Sequence, residues 1–452
     1  MAFSLRKVPG AVWGLLALAT GMVLGTLFPD QLGFIGTAVG AGFKGLAWLA
    51  PYIIFFTISA AIVDMLRHGK AGRFALWTTI VFTGIGLAAG LLAILLTVPL
   101  FGLSWSAGDA TFADTLKSIG VETLLLTHSS PSFIAVFYAA GSVTLLHWLG
   151  KWKRAAWFTR PTMDVLAIVG RDGIQYVGRG LKVAFPYLLF GIGIFIPTAI
   201  ARAVASSEAG LATAGPGVCA FNVLCTPVAL YFATVALQVI VLAVFMVAAI
   251  VGICYFTGFS LKRFLREYFA YVYPFAWATS SSAASIPVNL ERTGEGLKVR
   301  KEIREFVIPL GATVNLDGAI MASFVLTAMA AILVGYRPTF VDLLILLIPI
   351  KIVTLGVPGI PGGVAAVVPP VVSEILPIPE DAKAAFIAIW FGFSVGLSDQ
   401  FRTGVNTTTN GIVALGFEKV YDRYFNKEAP VASAVAEEAP AAQLDEPPAG
   451  GA

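Results

Sequence analysis

Six stretches of the sequence, residues 11–28, 45–63, 74–107, 124–150, 183–201 and 209–261, contain no lysine, arginine, aspartate or glutamate. Each is long enough to cross about 30 Å of hydrocarbon as a helix, which takes roughly 17–25 residues. Charged residues make up 12% of the chain, against about 25% in a soluble domain, so the chain is an integral membrane protein. The first run is preceded by Arg6 and Lys7 and followed by no small-x-small cleavage site. That pattern predicts a retained first helix rather than a removed signal peptide.

The net charge of +4 is uninformative about nucleic acid, but the positions of the basic residues carry topology. Arg67, Lys70 and Arg73 follow the second run, Lys151, Lys153, Arg154, Arg160 and Arg171 follow the run 124–150, and Lys262, Arg263 and Arg266 follow the run 209–261. The positive-inside rule places these loops and both termini in the cytoplasm, and the protein in the inner (plasma) membrane. Cys219, Cys225 and Cys254 lie in or beside apolar stretches without CxxC spacing and read as buried small hydrophobes. His68, His128 and His147 stand apart from the carboxylate-bearing motifs and are given no role.

The second half is built differently. Apolar arms of 8–14 residues are joined by small-residue tips: 268–279, then SSSAAS, then Ile286–Leu290; and 343–355, then GVPGIPGG, then Val364–Leu376. Such arms are too short to span and read as re-entrant hairpins, tolerated only where protein or a watery cavity covers their irregular backbone. The order hairpin (268–304), span (305–335), hairpin (338–378), span (382–418) is a crude repeat. Paired interrupted segments of this kind point to a transporter binding site. The tail from Lys427 is rich in Ala, Pro and Glu and is expected to be disordered.

Three constellations carry chemistry. Residues 398–410, SDQFRTGVNTTTN, place Asp399, Arg402, Asn406 and Asn410 within about 80° of one helix face. A charge at mid-bilayer costs at least about 2.5–3.5 kcal/mol, so this stripe faces protein or a water-filled pocket. An anion, a cation and two amides on one stripe suit a small charged solute. The tip Ser280–Ser285 offers backbone amides and hydroxyls at the start of a half-helix, a suitable seat for a carboxylate. In GATVNLDG, Asn315 and Asp317 are two apart and would diverge on a regular helix. If the helix unwinds between Gly311 and Gly318, their oxygens and several carbonyls converge as ligands for a hard cation such as Na⁺. The four glycines of residues 356–363, with Pro358 and Pro361, make the second tip a candidate gate.

In this order, SSSAASIP, GATVNLDG, GIPGG and SDQFRTGVNTTTN resemble the dicarboxylate/amino acid:cation symporter family, which includes the glutamate transporters. The resemblance is strong over about residues 260–420. It implies an all-α membrane protein with a glutamate-transporter-like elevator fold of about eight transmembrane helices and two re-entrant hairpins, assembled as a homotrimer. Its expected organisation is scaffold helices at 1–66 and 108–205, a transport-domain helix at 67–107, the transport domain with both hairpins at 206–426, and the cytoplasmic tail at 427–452.

By the same resemblance, Arg402 binds the distal carboxylate of an acidic substrate, Asp399 its ammonium, and Asn406 its α-carboxylate, with Ser281, Ser282, Thr313, Gly359 and Thr403 completing the substrate set. Gly311, Thr313, Asn315, Asp317, Thr354, Asn406 and Asn410 form the cation set. There are departures from the family pattern. Asn410 stands where glutamate transporters usually have a Na⁺-binding Asp, and Ala319 lacks a hydroxyl near the distal carboxylate. Phe82, Ile85 and Gly86 replace Tyr, Thr and Ser ligands of a further Na⁺, and Thr354 and Val357 replace small hydroxylic residues. Fewer Na⁺ sites, or a different coupling ion, are expected.

The sequence thus predicts a non-enzymatic symporter for a small anionic solute coupled to Na⁺ and/or H⁺, needing no other cofactor, with the bilayer and its own copies as partners and no nucleic acid. Asp399 favours an acidic amino acid and Asn410 a C4-dicarboxylate. An anion channel and an intramembrane enzyme are the rivals from other classes. The channel would not need two gated hairpins, and the serines at 280–282 have no neighbouring His or Lys to activate them.

Overall fold

The computed structural model describes residues 10–28, 72–105, 131–169, 227–355, 357 and 362–424, with isolated positions between 31 and 63 and between 187 and 194. Every regular element among the described residues is helical. The tail 427–452, the second-tip residues 358–361 with Gly359, Cys219 and Cys225, and most of the runs 45–63 and 183–201 lie outside the described residues.

The helices are α1 Gly10–Leu27, α2 Gly72–Leu100, α3 Pro131–Leu149, α4 Ala156–Ile168 and α5 Pro227–Thr257. A short stretch over Leu261–Phe264 and a π-helical turn over Leu265–Phe269 lead into α6 Ala270–Thr279 and α7 Ile286–Glu295. Then come α8 Lys301–Val314, α9 Asp317–Leu333, α10 Phe340–Ile345, α11 Leu347–Thr354, α12 Gly363–Ile375, α13 Glu380–Ser394 and α14 Leu397–Tyr424. Among the described residues, three segments are long and apolar enough to cross a membrane, Leu76–Leu100, Ala229–Thr257 and Lys301–Leu333, with a fourth if the bent pair α13–α14 is one span. The protein is a multi-pass all-α membrane protein.

Burial sorts these spans. In Lys301–Leu333, 89% of the most apolar window is buried, against 33% in each of the other two, so α8–α9 is the central rod and α2 and α5 are peripheral. Ile240, Val244, Val247 and Val251 on α5 are exposed and recur at helical spacing, an apolar stripe suited to lipid or a neighbouring subunit. One apolar core joins α2, α5 and residues 264–417, and Met22, Ala135 and Ala139 pack into it; Val63, Val143 and Ala167 form a separate small cluster.

The two short-armed segments fold as helical hairpins. α6 packs on α7 and α11 on α12, and connections of a few residues require each pair to run antiparallel. Thr279 ends α6 because Ser280 turns left-handed, at φ 47°. Gly362 begins α12 at φ 75°, a conformation glycine adopts without steric penalty.

Both spans that follow a hairpin are broken, one of them unexpectedly. In the first, the unwound backbone is confined to Asn315 and Leu316, with helix on both sides. The unwinding considered between Gly311 and Gly318 is present but short, since Asn315 N still bonds to Gly311 O and Ile320 N to Leu316 O. The second, read from sequence as one span over 382–418, is two helices bent by 67° at Val395–Gly396. Side chains from α5 satisfy the backbone freed there. The Tyr231 hydroxyl donates to Val395 O (2.8 Å) and accepts from Leu397 N (3.0 Å). Gln238 Nε2 donates to Ser398 O (2.8 Å), and Ser398 Oγ donates to Gln238 Oε1 (2.7 Å).

Gln238 is fully buried in an otherwise apolar helix. Gln238→Leu is expected to lower stability by about 1–3 kcal/mol, the penalty for stranding buried polar groups. Thermal midpoints of the detergent-solubilised variant and wild type check this, and an unchanged midpoint would mean that the break does not depend on Gln238.

Candidate functional site

The polar stripe lies on α14, whose helix survives a run of threonines because their hydroxyls turn back onto the preceding turn. Thr403 Oγ1 donates to Asp399 O (2.7 Å), Thr408 Oγ1 to Gly404 O (2.8 Å), and Thr409 Oγ1 lies 3.0 Å from Asn406 O and 3.2 Å from Val405 O. α14 packs against α5, α6, α7, α8 and α9, so residues that would face lipid on an isolated helix are enclosed. Asp399, Arg402, Thr403, Asn406 and Asn410 are each at most 5% exposed.

Both hairpin tips reach this stripe. Gly362 N, at the second tip, donates to Asp399 Oδ2 (3.0 Å). Thr407 Oγ1 donates to Ser282 Oγ (3.3 Å) at the first tip. Positions 399 and 407 are eight residues apart, about 12 Å along a helix, and Arg402, Thr403 and Asn406 lie between them. The first hairpin is held by its second arm: Asn289 Nδ2 donates to Thr407 O (2.9 Å), and the Tyr268 hydroxyl lies 2.8 Å from Asn289 Oδ1 and 3.2 Å from Thr408 O. Ser281 is also buried, and its Oγ accepts from Ala284 N (3.2 Å) within the tip.

Arg402 and Asp399 form a buried ion pair. Arg402 Nε donates to Asp399 Oδ1 (2.9 Å) and Nη2 lies 2.8 Å from the same oxygen. Neither Nη1 nor Nη2 makes a hydrogen bond of good geometry to the protein. A guanidinium whose terminal nitrogens retain unused N–H donors is the kind of donor set that binds a carboxylate through two parallel bonds.

A second polar cluster surrounds the break between α8 and α9. Asn315 Nδ2 donates to Thr409 Oγ1 (2.8 Å) and Asn410 Oδ1 (3.0 Å), and Asn406 Oδ1 accepts from Ala319 N (3.2 Å) at the start of α9. Gly311 lies so close to α14 that a Cβ there would sit 2.4 Å from Asn410 Oδ1. Asn315 Oδ1 and both Asp317 carboxylate oxygens are buried and accept no hydrogen bond. Oxygens of this kind, on a fully buried carboxylate and amide, fit a hard cation, since an uncompensated buried carboxylate is strongly disfavoured.

Other candidate residues do not join these clusters. The Thr313 side chain is exposed and donates to Leu310 O (2.9 Å). Thr354 is buried but its hydroxyl is used within α11, donating to Lys351 O (2.9 Å). Phe82 and Gly86, on α2, lie against the break, Phe82 within reach of Gly311. The sequence analysis passed over Tyr231, Gln238, Tyr268, Asn289 and Lys351, although a lone Gln in the run 209–261 and a lone Lys in the run 343–355 were visible signals.

The family model described as the sodium:dicarboxylate symporter family matches residues 194–420. The chain belongs to this family. The matched residues contain both hairpins, both broken spans and every member of the two polar clusters. Its family is one of transporters rather than enzymes, and a symporter of this family carries a small anionic substrate together with a cation. The Arg402 guanidinium and the oxygens of Asn315 and Asp317 that accept no hydrogen bond offer chemistry suited to an anion and to a cation respectively, on α14 and at the break packed against it.

Proposed function

We propose that this symporter carries an acidic amino acid, with the distal carboxylate on Arg402, the ammonium on Asp399, and the α-carboxylate on Asn406 and the amides and hydroxyls of the first tip. The carrying observation is the buried pairing of one anionic and one cationic side chain between two hairpin tips, with neither Arg402 terminal nitrogen making a well-formed hydrogen bond to the protein. A solute with two carboxylates and one ammonium complements that set charge for charge. Ser281, Ser282 and Thr403 line the same stretch, and Thr313 enters this reading through its backbone alone.

A C4-dicarboxylate is the second reading, and a specific observation favours it. Asp399 is already compensated by Arg402 and by the Gly362 amide, which weakens the repulsion that counts against a substrate lacking an ammonium. Asn410, neutral and hydrogen-bonded to Asn315, agrees with this alternative.

The coupling ion is proposed to be Na⁺, H⁺ or both, with Asn315 and Asp317 as its principal side-chain ligands. The mobile unit is proposed to comprise 67–107 and 206–426, moving as an elevator against a scaffold of 1–66 and 108–205 in a homotrimer of the inner membrane. The exposed basic residues Lys151, Lys153, Arg154, Lys262 and Arg266 support cytoplasmic placement of their loops and of both termini.

The test is a thermal-shift screen of aspartate, glutamate, succinate, malate and fumarate, each with and without Na⁺. Aspartate or glutamate is expected to raise the midpoint most, and more strongly with Na⁺, because coupled ligands stabilise by mass action. A response to succinate, malate and fumarate alone would replace the first reading by the second. No response to any of them would overturn both.

A further inference from the structure

Lys351 lies in α11, in the middle of a run from Leu343 to Leu355 that holds no other charge, and it is 1% exposed. A cationic side chain at that depth persists only where partners compensate it. Its Nζ donates to Phe82 O (3.2 Å) on α2 and to Val314 O (3.4 Å), the last carbonyl of α8 before the break. Gly86, one turn beyond Phe82, makes room for it: a Cβ there would lie 2.7 Å from Nζ and 3.1 Å from Cε. The Asp317 carboxylate, three residues on from Val314 and with two oxygens that accept no hydrogen bond, lies outside ion-pair contact with Nζ but within its electrostatic reach. Two carbonyls holding one positive charge, with a carboxylate beyond them, are an arrangement that would suit a bound monovalent cation. Here the cation is covalently attached to the chain.

We propose that Lys351 is a tethered cation, whose ammonium neutralises Asp317 at the α8–α9 break in place of one coupling Na⁺. The symporter therefore moves its substrate with one Na⁺ fewer than Asp317 would otherwise recruit. The inference rests on the reading of this protein as a cation-coupled symporter and adds a determinant of its stoichiometry. Because α11 is the first arm of the second hairpin, the compensating charge travels with that hairpin instead of arriving from solvent. The groups that face it from the packed elements are Phe82 O on α2 and Val314 O at the end of α8, which accept from Nζ, with the Asp317 carboxylate on α9 as the neighbouring charge.

The test uses the full-length purified protein and needs no acidic solute. Thermal midpoints are measured in NaCl and in choline chloride at constant ionic strength for wild type, Lys351→Ser, Asp317→Asn and the double variant. Lys351→Ser is expected to acquire a Na⁺-specific rise in midpoint beyond that of wild type, equivalent to about one additional bound Na⁺, and the double variant to lose it. A Na⁺ response of Lys351→Ser equal to that of wild type would overturn the proposal. Should Lys351→Ser fail to fold, Lys351→Met/Asp317→Asn keeps the question open to measurement. Removing both charges together is expected to recover a midpoint above that of Lys351→Met alone, and a double variant no more stable than the single one would overturn the proposal. These outcomes are independent of the substrate screen, where failure of wild type to bind any acidic solute would strike the proposed substrates and not Lys351.

Discussion

Arg402→Cys is expected to abolish binding of every acidic solute the wild type recognises. The guanidinium is 1% exposed, and although Nη2 stands beside Asp399, neither terminal nitrogen makes a well-formed hydrogen bond to the protein, so they are the donors to which a substrate carboxylate is assigned. A carboxylate brought into that interior without a cation forfeits its compensation, an effect of about 3–5 kcal/mol when one partner of a buried pair is removed. That is a loss of more than about a hundredfold in affinity. The substitution also strands Asp399, leaving it only the Gly362 amide, so a lower thermal midpoint is expected alongside. Affinity is therefore to be measured by calorimetry on protein shown to be folded by size-exclusion chromatography. Wild-type affinity for both aspartate and succinate in a folded Arg402→Cys protein would remove Arg402 from the site.

The second large effect separates the two substrate readings. Asp399→Asn removes the proposed ammonium partner, so an acidic amino acid is expected to lose about 2–4 kcal/mol, the range for truncating one member of a buried charge pair. A dicarboxylate is expected to bind as well as before or better, since Arg402 then carries its full positive charge toward the substrate. The ratio of aspartate to succinate affinity is the readout, because a general weakening of the second tip through the Gly362 contact would lower both together. A fall in succinate affinity with aspartate untouched would invert the assignment.

Much of this architecture is legible in the chain because membranes punish exceptions. Charge-free runs predict spans, and arms too short to span, joined by SSSAAS and GVPGIPGG, coincide with the helical hairpins α6–α7 and α11–α12. The spacing of Asp399, Arg402, Asn406 and Asn410 places them on one face of α14 without reference to any other helix. What periodicity lacks is the identity of the facing partner. The same spacing leaves open whether Asp399 points at a ligand or, as here, at Arg402 and Gly362.

The sequence by itself thus determined which segments enter the membrane and which residues share a face, since both follow from local hydropathy and the 3.6-residue turn. Only the tertiary structure decided the rest. The break at Val395–Gly396 exists because Tyr231 and Gln238, more than 150 residues away along the chain, satisfy the carbonyls it frees. Thr313 faces outward because the unwound backbone is limited to Asn315 and Leu316, so α8 keeps its helical rotation through that residue. Lys351, a charge in the apolar run that forms a hairpin arm, has its meaning set by the carbonyls of Phe82 and Val314, which converge on it only when three helices pack and bring it near the Asp317 carboxylate.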